Sequence, residues 1–159
     1  MDYKIINKEA FAIVGKSIRT STVEGQNHRN IAQFWIDSNQ NGFADELAQV
    51  SGDLGLIGVC MDFDNEQEQL TYAIGAEKTT NNVPSGWDEV KIPASTWAVF
   101  PVHGAMPDAM PSVWQRIFSE WFPATGYEHS GGPEMEVYLS DSDPYSADYY
   151  SEIWIPIKK

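Results

Sequence analysis

The chain has 159 residues, 42% of them hydrophobic, which suits one domain over 1–159 with a real core and leaves no room for two large domains. Twenty-three Asp and Glu against ten Lys and Arg give a net charge of −13, so the surface repels phosphate; this excludes direct nucleic-acid binding and favours cationic ligands or basic protein surfaces. The lone cysteine, Cys60, excludes an internal disulfide, and no signal-like or bilayer-length apolar run is present, so a soluble cytoplasmic protein without membrane association is expected.

The chain repeats itself. Residues 2–15 lie against 88–101 without a gap, setting Phe11 on Trp97, Ala12 on Ala98, Ile13 on Val99 and Val14 on Phe100. The same offset carries Ile31 onto Ile117 and Trp35 onto Trp121. Two halves follow, about 1–80 and 86–159, joined through the turn-forming stretch 81–86. Each half opens with a short β-like segment and a β-branched or aromatic strand, at 10–18 and 96–103.

A helix comes next in each half. In the second, Val113, Trp114, Ile117, Phe118 and Trp121 recur at three- and four-residue spacing on a helix that starts near 111 or 112 and is ended by Pro123 and Gly126. The first half has a smaller apolar face of Ile31, Phe34 and Trp35, then a short helix carrying Phe43, Leu47 and Val50. Two strands close each half, 55–62 with 69–76 and 133–140 with 149–157, the second pair turning at 141–144. Ile57, Val59 and Met61 then match Met135, Val137 and Leu139, and Gly58 matches Glu136, with about eight extra residues in the first half between 41 and 52. The predicted class is α+β: a strand-helix-strand-strand unit used twice, helices over one face of an antiparallel sheet, the other face free, and a cleft between halves about a pseudo-two-fold.

The strand at 133–139 alternates, so Met135, Val137 and Leu139 share one face and Glu134, Glu136 and Tyr138 the other. Six Trp are a heavy load to bury with their indole N–H groups, and several are expected to line a groove. Metal chemistry has little support. The stretch from Asp37 to Gly42 begins like a calcium loop, but Ala48 stands where the bidentate Glu belongs, and a polar turn ending a helix is the better reading. Asp141 and Asp143 read as turn residues, and His28, His103 and His129 have no ligand spacing. Cys60 has no nucleophile partner, and no phosphate loop or nucleophile elbow occurs, so no cofactor and no catalytic residue is assigned.

A set of ordered signals resembles a known family: Gly86 followed by Val90-Lys91-Ile92-Pro93-Ala94, then Trp97-Ala98-Val99-Phe100, Trp114-Gln115-Arg116-Ile117, Trp121 to Tyr127, Glu136-Val137-Tyr138 and Glu152 to Ile157. With Tyr72-Ala73-Ile74-Gly75 in the first half, they look like the GyrI-like small-molecule-binding domain, the effector-binding domain of AraC-type and MerR-type multidrug regulators, in its stand-alone form. The resemblance implies a ligand groove between the duplicated units. It also implies that Glu136 is the buried glutamate that family members direct at lipophilic cations, surrounded by aromatic rings. Tyr72, Trp121, Tyr138 and Trp154 are the candidate rings, although Trp121 and Trp35 serve equally as helix-to-sheet packing; Trp97 and Trp114 are expected in the core. Glu134 is expected in water at the strand edge, and Glu152 either paired with a basic residue or in solvent. The regulators' DNA-binding module is not found upstream, so a complete one-protein transcription factor is not expected. Binding of amphipathic cationic aromatic molecules, for drug sensing, sequestration or ligand-responsive transcription regulation, is the leading expectation. A hydrolase of reactive electrophiles using a pocket Glu as general base is one alternative. An acidic interaction protein acting on gyrase, or on transcription machinery, is another.

Overall fold

The computed structural model describes residues 1–139 and 143–159. Its elements are β1 (Lys4–Lys8), β2 (Phe11–Ser21), α1 (Gln26–Gln40), α2 (Phe43–Val50), β3 (Leu56–Asp64), β4 (Gln69–Glu77), β5 (Asp88–Ile92), β6 (Ser95–His103), α3 (Ala109–Arg116), a π-helical turn (Ile117–Trp121), α4 (Phe122–Thr125), β7 (Glu128–His129), β8 (Glu134–Tyr138) and β9 (Tyr150–Lys158). Part of the turn expected at 141–144 lies outside the described residues; within it, the Asp143 carboxylate accepts the Tyr145 N–H at 2.9 Å.

The strands form one antiparallel sheet in the order β1-β6-β9-β8-β3-β4-β2-β5, with β7 added against β9. Exchanging each strand for its repeat mate, β1 for β5, β2 for β6, β3 for β8 and β4 for β9, turns this order into its own reverse. The centre of that symmetry is the β3–β8 pair. There Gly58 stands directly opposite Glu136, so the two residues that the repeat equates are also cross-strand partners.

Helices cover one sheet face in two separate packs. Phe43 and Leu47 of α2 bury against Leu70, Tyr72, Ile74 and Ala76, with Phe34 and Trp35 of α1 alongside. Met110, Ile117 and Trp121 bury against Ala98, Phe100, Val102, Ile153 and Ile155. Between the packs lies the β3–β8 seam, and on that face it carries Gly58, Cys60, Glu134, Glu136 and Tyr138, flanked by Tyr72 and Ile74 of β4 and by Ile153 of β9.

The opposite face is not free. Ile13, Ile57, Val59, Met61, Trp97, Val99, Met135, Val137 and Trp154 form a buried core there. Connectivity is the reason: β1 pairs with β6 and β5 with β2, yet β1 runs into β2 and β5 into β6 through two-residue links. The two ends of the sheet are therefore tied together, and the sheet curls over its own apolar side.

The helix of the second half also departs from expectation. It starts at Ala109 and continues past Pro123, because Pro123 falls in the first turn of α4, where its missing N–H costs no bond. Gly126 alone ends it, at φ 77°. The polar stretch after Asp37 closes α1: the Asn41 N–H reaches the Asp37 carbonyl at 2.9 Å and the Asn41 side chain accepts the Phe43 N–H at 2.9 Å. Among the described residues, no helix is long and apolar enough to cross a membrane.

Candidate functional site

Glu136 projects from the middle of β8 into the gap between the two helical packs. Gly58 across the seam leaves room above the sheet, and the Tyr72 ring of the next strand leans into that room. A Cβ on Gly58 would sit 2.0 Å from the Tyr72 hydroxyl oxygen. With the glycine in place, Tyr72 donates to Glu136 Oε1 at 3.0 Å. Tyr138, two residues along β8, reaches the same oxygen at 3.4 Å. The other oxygen, Oε2, accepts the indole N–H of Trp114 from α3 at 2.9 Å.

A fourth ring completes the enclosure. Trp35 of α1 donates its N–H to the Tyr72 hydroxyl at 2.8 Å and sets its ring edge-on to Tyr138, centroids 5.3 Å apart. One hydrogen-bonded path thus runs from α1 through Trp35, Tyr72, Glu136 and Trp114 to α3, crossing the seam at the carboxylate.

All the neighbours are aromatic donors, and among the described residues no Lys, Arg or His forms an ion pair with Glu136. Burial therefore dominates its ionisation and raises the carboxyl above the usual range; donation from Trp114, Tyr72 and Tyr138 opposes the shift, and the charge of Glu134 adds to it. The two phenols are pushed well above their ordinary value, by burial first and by the Glu136 charge second, and remain protonated donors. Burial, then Glu136 and Glu134, does the same to the Cys60 thiol, which makes it a poor nucleophile. What results is an acid held by aromatic O–H and N–H donors with no internal cation among the described residues: an arrangement that a ligand cation can complete.

Of the residues singled out in the sequence, the fold brings Glu136, Tyr72 and Tyr138 together. Trp121 is elsewhere, packed edge-on against Phe100 at 5.0 Å and Tyr3 at 5.1 Å and stacked on Tyr127. Trp154 lies on the opposite face, 5.8 Å from Trp97, donating its N–H to Glu152 at 3.0 Å. Glu152 itself is buried and is satisfied by Trp154 and by the Tyr150 hydroxyl at 2.7 Å, so it meets neither solvent nor a basic residue. Trp35 and Trp114 are the rings that take part instead. Both were legible as helix-face aromatics, but not as donors to the site.

A family model for the GyrI-like small-molecule-binding domain matches residues 1–158. The chain belongs to that family. Solved structures agree with the GyrI-like assignment in fold. That of SAV2435 bound to tetraphenylphosphonium matches 99% of this chain and 94% of its own, with a TM-score of 0.88 at 23% identity. A protein from Staphylococcus aureus MU50 matches 100% of this chain and 99% of its own, with a TM-score of 0.84 at 24% identity. The C-terminal domain of EcmrR matches 99% of this GyrI-like chain and 98% of its own, with a TM-score of 0.62 at 15% identity. No curated protein sequence matches the chain.

Proposed function

We propose that this GyrI-like domain binds amphipathic, cationic aromatic small molecules in the groove over Glu136, as a sensing or sequestering module. The observation that carries the reading is a half-buried carboxylate whose partners are all aromatic donors and none a cation. Tyr72, Tyr138, Trp35 and Trp114 supply walls that tolerate many shapes, because stacking on a π-face demands little of a ligand beyond flatness and charge. The likeness to a structure that holds tetraphenylphosphonium supports the same chemistry. The test is a paired titration, followed by tryptophan fluorescence, of tetraphenylphosphonium and the uncharged triphenylphosphine oxide. The cation is expected to bind at least tenfold more tightly, since a charge pair at reduced dielectric adds to a contact area that the two share. Equal affinities would remove charge from the recognition.

The raised carboxyl gives binding a pH dependence of definite sign. Between the ordinary carboxylate range, about pH 4–5, and the raised value, Glu136 of the free protein keeps its proton, and a bound cation must expel it. Affinity for tetraphenylphosphonium is therefore expected to climb as pH rises through that window and to level off above it. Ligand-free stability runs the other way, because the unfolded chain releases this proton first. Trp114→Phe removes the donor on Oε2, which holds the carboxyl down, so the midpoint of the affinity profile is expected to move to higher pH. A profile that stays in place in Trp114→Phe would dissociate the indole from the titration.

A further inference from the structure

Glu134 lies two residues from Glu136 on the same face of β8, but it is not in open water. Its side chain is only 12% exposed, and its Oε2 stands 3.3 Å from His129 Nε2 on β7. That contact is a hydrogen bond from the imidazole ring. The backbone N–H of Gly131 donates to His129 Nδ1 at 2.9 Å, so Nδ1 carries no proton and the Nε2–H is the one offered to Glu134.

Both carboxylates act on one space. Cys60 is the cross-strand partner of Glu134 and sits beside the Gly58–Glu136 pair, and the two acids together push its thiol up. Glu134 also raises Glu136 directly. A ligand with one positive centre satisfies Glu136 and covers Glu134 without compensating it, which adds a desolvation penalty to binding. A second positive centre removes that penalty and draws on the second charge.

We infer that Glu134 determines specificity in this groove, and that its preferred ligands are elongated aromatic dications whose positive centres lie about 7 Å apart, two residues along a strand. The inference rests on the cation-binding reading above. It names the class of cation.

The test compares diphenyl viologen, whose two ring nitrogens are held about that far apart, with its singly quaternised counterpart by calorimetry at physiological salt. Wild type is expected to prefer the dication by about tenfold, and Glu134→Gln to bring the ratio close to one with monocation affinity kept or improved. Asp108→Asn, which removes an exposed acid outside the groove, should leave the ratio intact. A ratio unchanged in Glu134→Gln, or reduced equally in Asp108→Asn, overturns the inference. The tetraphenylphosphonium comparison separates the two levels. If cation preference is present and Glu134 has no effect on the ratio, only this inference fails; if cation preference is absent, the reading beneath it fails.

Discussion

Glu136→Gln is expected to abolish cation recognition while leaving the fold as stable as wild type or slightly more so. Glutamine keeps the shape. Its amide oxygen can take the Trp114 N–H now accepted by Oε2, and its NH2 can donate to the Tyr72 oxygen once that hydroxyl turns away. What disappears is the charge. A half-buried carboxylate without a cation is a net burden on the empty protein, because its desolvation is only partly offset by three neutral donors. Relieving it should raise the denaturation midpoint near neutral pH by an amount worth about 1 kcal/mol. Binding moves in the opposite direction. Truncating one side of a desolvated charge pair costs about 2–4 kcal/mol, roughly thirty- to thousand-fold in affinity, so tetraphenylphosphonium should fall to the level of triphenylphosphine oxide, and its pH dependence should flatten. Calorimetric titration and chemical denaturation on one preparation check both halves. Tight, pH-dependent cation binding by a well-folded Glu136→Gln protein would place the recognised charge elsewhere.

The duplication, and with it the centre of the site, could be read from the sequence because it depends on matches between residue types. Equating Gly58 with Glu136 needs only the pattern of Ile57, Val59 and Met61 against Met135, Val137 and Leu139. The fold turns that equivalence into a cross-strand pair at the sheet centre. The rings were less legible, for two physical reasons. First, alternation says which β9 residues share a face but not which face of β8 they join. A one-residue change of register swaps the answer, and here Glu136 pairs with Ile153, sending Trp154 to the other side. Second, Trp114 and Trp121 are seven apart and would share a stripe on a regular α-helix. The π-helical turn from Ile117 to Trp121 inserts extra residue spacing between them, so Trp114 faces the carboxylate and Trp121 the core. Hydrophobic periodicity carries no sign of that turn. The curling of the sheet was equally hidden, since which strand each short edge segment would join is a long-range choice.

Gly58→Ala should damage both stability and binding. The added Cβ would lie 2.0 Å from the Tyr72 hydroxyl oxygen, 2.8 Å from the ring carbon that bears it, and 3.4 Å from Glu136 Oε1. Tyr72 cannot easily withdraw. It is 1% exposed, packed among Phe43, Leu47 and Ile74, and its hydroxyl is held by Trp35 on one side and Glu136 on the other. Moving it breaks both bonds, strands the Trp35 N–H and leaves Oε1 only the longer Tyr138 contact, at about 1–3 kcal/mol for the stranded donor, in addition to about 1–3 kcal/mol of overpacking. Relaxation will recover part of that sum, so a net loss of about 2–4 kcal/mol is expected in urea denaturation. Tetraphenylphosphonium affinity should fall as well, because the carboxylate loses the donor that orients it. A double-mutant cycle isolates the cause. Tyr72→Phe alone removes the hydroxyl and should cost about 1–2 kcal/mol. Combined with Gly58→Ala it also removes the shortest overlap, so the double variant should be more stable than the sum of the two single losses by at least about 1 kcal/mol. Strict additivity would mean that Gly58 serves the backbone of the central strand pair and not the reach of Tyr72 across it. The carboxylate's aromatic cage would then owe nothing to the glycine that the duplication sets opposite it.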